Sequence, residues 1–140
     1  MSASEGALAR LRRRYPGAVA FRFGHSAEVC SELLELVKSG RKTATCTPDR
    51  DFATGQEPMP VAGRRDIALN WDGSPALVIE ITEVSRRRFD DVDEAFALAE
   101  GEDDDLAGWR HGHGQYFARH GGFSPDMMLV CERFRLVEVI

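Results

Sequence analysis

A carboxylate at the end of one predicted helix, and a cation with two hydroxyls just after another, are the residues here whose types suit proton transfer. The carboxylate is Glu100. It falls in the last turn of its helix and faces the negative end of the helix dipole, which favours the protonated form. A general acid near neutral pH needs that form. The cation is Lys42 and the hydroxyls are Thr43 and Thr45, within the stretch Gly40-Arg41-Lys42-Thr43-Ala44-Thr45. These three occupy a tight helix-to-strand junction, where side chains can be held rigidly at the edge of a cleft. A plainer alternative makes Arg41 and Lys42 dipole-complementing surface charges and the threonines ordinary strand residues. On that reading Glu100 is one member of an acidic run that continues through Glu102, Asp103, Asp104 and Asp105.

Other chemistries find less support. His111 and His113 are two residues apart, which on a helix points them away from each other, and no cysteine or acid at ligand spacing completes a metal set. No metal or other cofactor is expected. His113, on the apolar side of its helix, reads as a packed, hydrogen-bonded residue. The serines stand in no G-x-S-x-G elbow, and no glycine-rich phosphate loop precedes a helix. Cys30, Cys46 and Cys131 are far apart and form no C-x-x-C pair, which fits buried thiols in a reducing compartment.

The elements that must position these groups follow from periodicity. Ser26 caps a helix in which Val29, Leu33, Leu36 and Val37 recur at helical spacing, and Gly40 stops it. Lys42 to Thr47 then reads as strand. Pro48 to Arg65 is too rich in proline and glycine for a long element and is expected to form a flap over Lys42. Asp66 to Trp71 and Ala76 to Val84 are strands joined through an Asp72-Gly73 turn, with Glu80 expected to face solvent and Arg86 to Arg88 a solvated strand end. A second helix starts from a cap at Asp90 or Asp91 and ends at Gly101. A third covers Leu106 to Arg119, with Leu106, Trp109, His113, Tyr116 and Phe117 along one side. Met128 to Ile140 supplies the last long strand or bent strand pair. Residues 1–17 read as a leader whose basic helix, Leu8 to Arg14, is a solvated arm cut by Pro16.

A chain of 140 residues is one domain's worth. Its net charge of -5 at pH 7 argues against a long nucleic-acid footprint, which gains its affinity from a basic surface. No run approaches the ~20 apolar residues of a membrane span, and the N-terminus lacks the plan of a signal peptide. A cytoplasmic protein without membrane contact is expected.

The Gly40 to Thr45 stretch resembles the G-x-K-T-x-T signature of the ASCH domain, a relative of the PUA fold. Phe21-Arg22-Phe23-Gly24, the Gly55 to Pro60 loop with Gly63, Val78 to Val84, Ala99-Glu100-Gly101-Glu102, Trp109 to Phe117, and Phe123 to Phe134 with Cys131-Glu132-Arg133-Phe134 are similar to the longer bacterial members. The resemblance spans Val19 to the C-terminus, so residues 18–140 form one domain. It implies an α+β fold, a PUA-like mixed β-barrel flanked by about three helices. Some small ASCH proteins are amidohydrolases that remove acyl groups from the exocyclic amine of cytosine nucleosides with a lysine, a threonine and a glutamate. The resemblance carries the first two onto Lys42 and Thr45, and the third onto Glu100 with Glu102 as the alternative. Lys42, with a lowered pKa, would take the proton of Thr45, whose oxygen attacks the acyl carbonyl while the glutamic acid protonates the leaving amine. Lys42 must then belong to the turn, or the strand must be bulged, because residues i and i+3 of a straight strand point to opposite faces.

Other ASCH members are RNA-binding or ribonucleolytic. On that alternative Arg41, Lys42, Arg50 and the arginines of the leader hold phosphates, Trp109 or Tyr116 stacks a base, and Ser124 joins the site, with Thr43 a further expected substrate-binding residue. The partners expected are a nucleoside or a short RNA, and the protein itself a monomer or weak homodimer.

Overall fold

The structure is a computed structural model and describes residues 2–55 and 57–140. In chain order its elements are α1 (Ala3–Arg14), β1 (Ala20–Phe21), α2 (Ala27–Lys38), β2 (Ala44–Pro48), β3 (Arg65–Leu69), β4 (Pro75–Arg88), α3 (Glu94–Ala99), α4 (Leu106–Arg119) and β5 (Met128–Val139). Short 3-10 turns occupy Asp49–Phe52 and Phe89–Asp91. The long apolar runs of β4 and β5 pair antiparallel down the middle of a five-stranded sheet of order β1-β3-β4-β5-β2. Among the described residues only β1 runs parallel to its neighbour, so the sheet is mixed and the fold α+β.

The expected barrel does not close. β1 has two residues and β2 five, and they stand at opposite edges of an open sheet. Gly24, at φ 74°, turns the chain out of β1 towards α2, and Pro48, which has no N–H to offer a ladder, ends β2. Too little edge remains to seam the sheet.

Alternation along the strands sends successive residues to opposite faces. Ala68 and Leu77 pack with Phe23, Leu34 and Phe134 against α2. Their neighbours Ile67 and Val78 pack with Leu11 of α1 and with Tyr15, which caps its C-terminus. The leader is therefore no solvated arm: Leu11 is buried, and Arg14 and Tyr15 both bond Glu138 of β5. Arg86 to Arg88 form the solvated end of β4 as expected, although the strand runs past Val84 to include them. Glu80 meets Arg65 and Arg135 at the surface, as expected of a solvent-facing residue.

A third cluster of Phe89, Phe96, Trp109, Phe117 and Leu129 binds α3 and α4 to the sheet. The cap of α3 is Asp93, whose carboxylate accepts the Phe96 N–H at 2.9 Å, and not Asp90 or Asp91. Arg88 clamps Asp90 at 2.9 and 2.7 Å, which holds Phe89–Asp91 as a separate 3-10 turn. Among the described residues no helix is long and apolar enough to cross a membrane.

Candidate functional site

Three chain segments meet at Lys42. Gly40, at φ 83°, closes α2 with a residue that only glycine adopts without strain, and the Lys42 N–H donates back to the Leu36 carbonyl at 3.0 Å. The next residue, Thr43, donates its N–H to Ala99 at 2.7 Å and accepts from Phe134 at 3.0 Å. These bonds pin the turn between the end of α3 and β5. Gly101 makes the approach possible. At φ 76° and so close to the turn, any Cβ it carried would lie 2.6 Å from the Arg41 carbonyl oxygen.

Lys42 is 2% exposed and Glu100 is 1% exposed, so the helix end buries an ion pair. The Lys42 ammonium donates to the Ala44 carbonyl at 2.9 Å, to Glu102 at 3.1 Å and to the Glu100 carbonyl at 3.3 Å, with the Glu100 carboxylate at 3.5 Å. Four groups converge on that carboxylate. Besides Lys42 they are the Trp109 indole at 2.5 Å, His113 Nε2 at 3.3 Å and the Cys46 thiol at 3.4 Å.

These contacts reverse the protonation states expected from the sequence. Burial works to raise the Glu100 pKa, but the Lys42 charge and the His113 and Trp109 bonds outweigh it and hold the carboxyl at about 2. Burial works to lower that of Lys42, and the Glu100 and Glu102 charges push it above its ordinary value instead. Lys42 is thus a fixed ammonium rather than a base, and Glu100 a fixed carboxylate rather than an acid. The same carboxylate favours the protonated form of His113. Burial disfavours its charge, yet the bond to Glu100 and the nearby carboxylates raise its pKa. Its Nδ1 faces the Trp109 carbonyl at 3.1 Å while Nε2 faces Glu100, two acceptors that are both served only by an imidazolium.

Cys46, Glu100 and His113 bring a sulfur, an oxygen and a nitrogen within 4.8 Å of one another, a metal-like grouping. Sequence spacing did not reveal this set, because the fold brings its members together from three segments, and their donors are spent on one another and on Lys42: Cys46 and His113 both bond Glu100, which also pairs with the Lys42 ammonium.

The cluster opens onto a cleft of about 710 Å³, a size suited to a small organic ligand. Lys42, Thr45, Glu100, Glu102 and Tyr116 all line it. Lys42 precedes β2, so strand alternation does not separate it from Thr45, although the Lys42 donors go to other partners. The Pro48 to Arg65 loop contributes Asp51, Phe52, Glu57, Pro58, Pro60 and Arg64 as a wall. Tyr116 belongs to an aromatic rim, with His120 at 4.4 Å and His25 stacked on His120 at 4.5 Å.

The remaining expected binding residues lie off the cleft. Arg41 is exposed and meets Asp104 at 3.5 Å, and Thr43 is exposed beside Ala99. Arg50 donates to the His120 and Gly122 carbonyls at 3.3 and 2.8 Å, a strut between the 3-10 turn and the end of α4. Trp109 is fully buried beneath Glu100 and has no face for a base. Ser124 sits exposed in the turn before β5, where its carbonyl accepts from Met127. His25, His113, His120 and Glu132, by contrast, line the cleft without having been singled out as site residues. Glu132 falls within the Cys131-Glu132-Arg133-Phe134 stretch and His113 on the apolar side of its helix, whereas nothing in the sequence around His25 and His120 marks them.

The ASCH domain profile matches residues 19–138. The structure is similar to that of an ASCH domain from Lactobacillus crispatus, with a TM-score of 0.82 and 31% identity over 95% of this chain and 92% of that one. It is also similar to a protein from Enterococcus faecalis V583, with a TM-score of 0.84 and 32% identity over 97% and 88% of the two chains. An ASCH protein from Zymomonas mobilis shares the fold at a TM-score of 0.53, with 8% identity over 88% of this chain and 71% of that one. Curated proteins give no significant match.

Proposed function

The chain belongs to the ASCH-domain family, and from that premise we propose that its cleft hydrolyses the amide joining an acyl group to the exocyclic amine of a pyrimidine nucleoside, as in N4-acetylcytidine. The observation that carries this reading is the buried Lys42–Glu100–Glu102 set opening onto a cleft whose lining holds more carboxylates than lysines and arginines. Buried charges matched so closely at a cleft are a mark of functional sites. An acidic lining repels a phosphate backbone and tolerates an uncharged nucleoside. The rim of Tyr116, His120 and His25 offers faces for a pyrimidine ring.

In this reading Thr45 supplies the nucleophilic hydroxyl. Lys42 acts as a fixed positive charge at the cleft wall, where it stabilises the oxyanion of a tetrahedral intermediate without giving up its proton. Glu100 keeps that charge in place from the fully buried side, and Glu102, 29% exposed in its side chain, does so from the solvent side.

The test is acetate release from N4-acetylcytidine by the wild type, Thr45→Val and Lys42→Ala, with folding checked by circular dichroism and a short single-stranded RNA assayed in parallel. Turnover that Thr45→Val abolishes while leaving the fold intact is the expected result. No turnover, but Lys42-dependent binding or cutting of the RNA, would overturn the reading.

A further inference from the structure

Fixing Lys42 as an ammonium leaves the proposed reaction without a base, and the structure narrows the choice. Glu100 is saturated by four donors, and Glu102 is bonded to Lys42. Asp66 is held by Arg64 at 2.8 and 2.9 Å and by the Val19 N–H at 3.0 Å. His113 has both nitrogens committed, and Cys46 keeps its proton. Glu57 also lines the cleft, from the loop wall, but is no cross-strand partner of Thr45.

Among the carboxylates that line the cleft, which also include Asp51 and Asp103, Glu132 is the one paired across the strands with Thr45. Glu132 of β5 lies directly opposite Thr45 of β2 in the antiparallel register, so the two side chains leave the same face of the sheet. Cross-strand partners of this kind hold their Cβ atoms roughly 4.5–5.5 Å apart, within the reach of a glutamate to a threonine hydroxyl. Both residues line the cleft, and among the described residues neither side chain has a hydrogen bond or an ion pair.

We infer that Glu132 is the general base of the cleft, serving first the Thr45 hydroxyl and then the hydrolytic water. The inference rests on the amide-hydrolase reading above. Its carboxylate takes the Thr45 Oγ proton as that oxygen bonds the acyl carbon. The same proton passes to the exocyclic nitrogen as the C–N bond breaks, releasing the nucleoside amine and leaving an acyl ester on Thr45. Glu132 then takes a proton from water as the water oxygen bonds the acyl carbon, and returns it to Thr45 Oγ as the ester C–O bond breaks. The products are the free carboxylic acid and the starting enzyme.

The surroundings suit the role. Burial is the main influence on Glu132, followed by the Asp66 charge, with Arg64 opposing and Glu57 adding, and together they push its carboxyl up to about 7. A base is most effective when its pKa lies near the working pH.

The experiment measures the pH dependence of kcat/KM for N4-acetylcytidine with the wild type, Glu132→Gln and Glu132→Asp, alongside a carbon-13 NMR titration of the glutamate carboxyls. The wild type should show an acid limb near pH 7 that matches the Glu132 titration. Glu132→Gln should lose roughly 10²–10⁴-fold in kcat with KM little changed, and the shorter carboxylate of Glu132→Asp should restore part of the rate with a displaced limb. A folded Glu132→Gln that keeps the wild-type rate and limb overturns the role of Glu132 while the amide-hydrolase reading stands. A wild type that does not turn the amide over overturns both.

Discussion

Glu100 and Glu132 line the same cleft and lose much of the same solvent, yet their carboxyls move in opposite directions, to about 2 and about 7. Burial raises both. The difference lies in the partners. Glu100 ends α3 where a lysine, an indole, a thiol and an imidazole converge, whereas Glu132 looks across a strand pair at a hydroxyl, with Asp66 near and Arg64 already spent on Asp66. Desolvation sets the stakes for a buried carboxyl, and donors decide the sign. One of these residues is thereby a fixed charge, the other a group that titrates.

The strongest way to break this contrast is to remove the cation on the Glu100 side. Lys42→Met leaves a buried carboxylate without its ion-pair partner, so a loss of roughly 3–5 kcal/mol is expected in urea unfolding at pH 7. The double variant Lys42→Met/Glu100→Gln should recover much of it, because Glu100 is then neutral and His113, without its carboxylate partner, can give up its proton. Equal stability of the single and double variants would show that Glu100 does not depend on Lys42.

Acid titration sharpens the same point at a smaller scale. The Glu100 pKa is depressed on folding from 4.5 to about 2, so its contribution is complete above pH 4.5 and is lost as pH falls from there to about 2. The full displacement is worth about 3 kcal/mol. Unfolding free energies between pH 5 and 2 should therefore fall less steeply for Glu100→Gln than for the wild type. Parallel curves would place Glu100 with the ordinary surface carboxylates.

The elements of the molecule were legible because each obeys a local rule. Ser26 and Gly40 bound α2 as capping chemistry predicts, and α4 runs over Leu106–Arg119 as its apolar spacing implies. The Lys42 turn and the end of α3 were legible as helix termini for the same reason. Their protonation states were not. A dipole argument for Glu100 uses only its own helix, and the groups that overrule it come from positions 42, 46, 109 and 113. Trp109 looked like a stacking platform because sequence shows its helical side and not its depth. The open sheet escaped notice because closure depends on how short β1 and β2 are, a matter of a few residues at strand ends. Glu132 stands in the Cys131-Glu132-Arg133-Phe134 stretch that resembles the family, but nothing there pairs it with Thr45, because that pairing is a register, and register joins residues far apart in sequence.

That register can be probed without any substrate. A carboxyl whose pKa is raised on folding stabilises the protein fully below its unfolded value and loses that contribution as pH rises through the folded one. For Glu132 the window runs from 4.5 to about 7, and its slope is opposite to that of Glu100. Above pH 7 the ionised side chain is a burden on the folded state. The displacement corresponds to about 3 kcal/mol at most, and solvent that still reaches the carboxyl screens part of it. Glu132→Gln removes the charge and keeps the shape, so a gain of about 1 kcal/mol at pH 8, vanishing by pH 4.5, is the outcome expected in urea unfolding. A variant that matched the wild type at both pH values would mean that Glu132 titrates as an exposed carboxylate does, and the contrast with Glu100 would then be one of exposure rather than of partners.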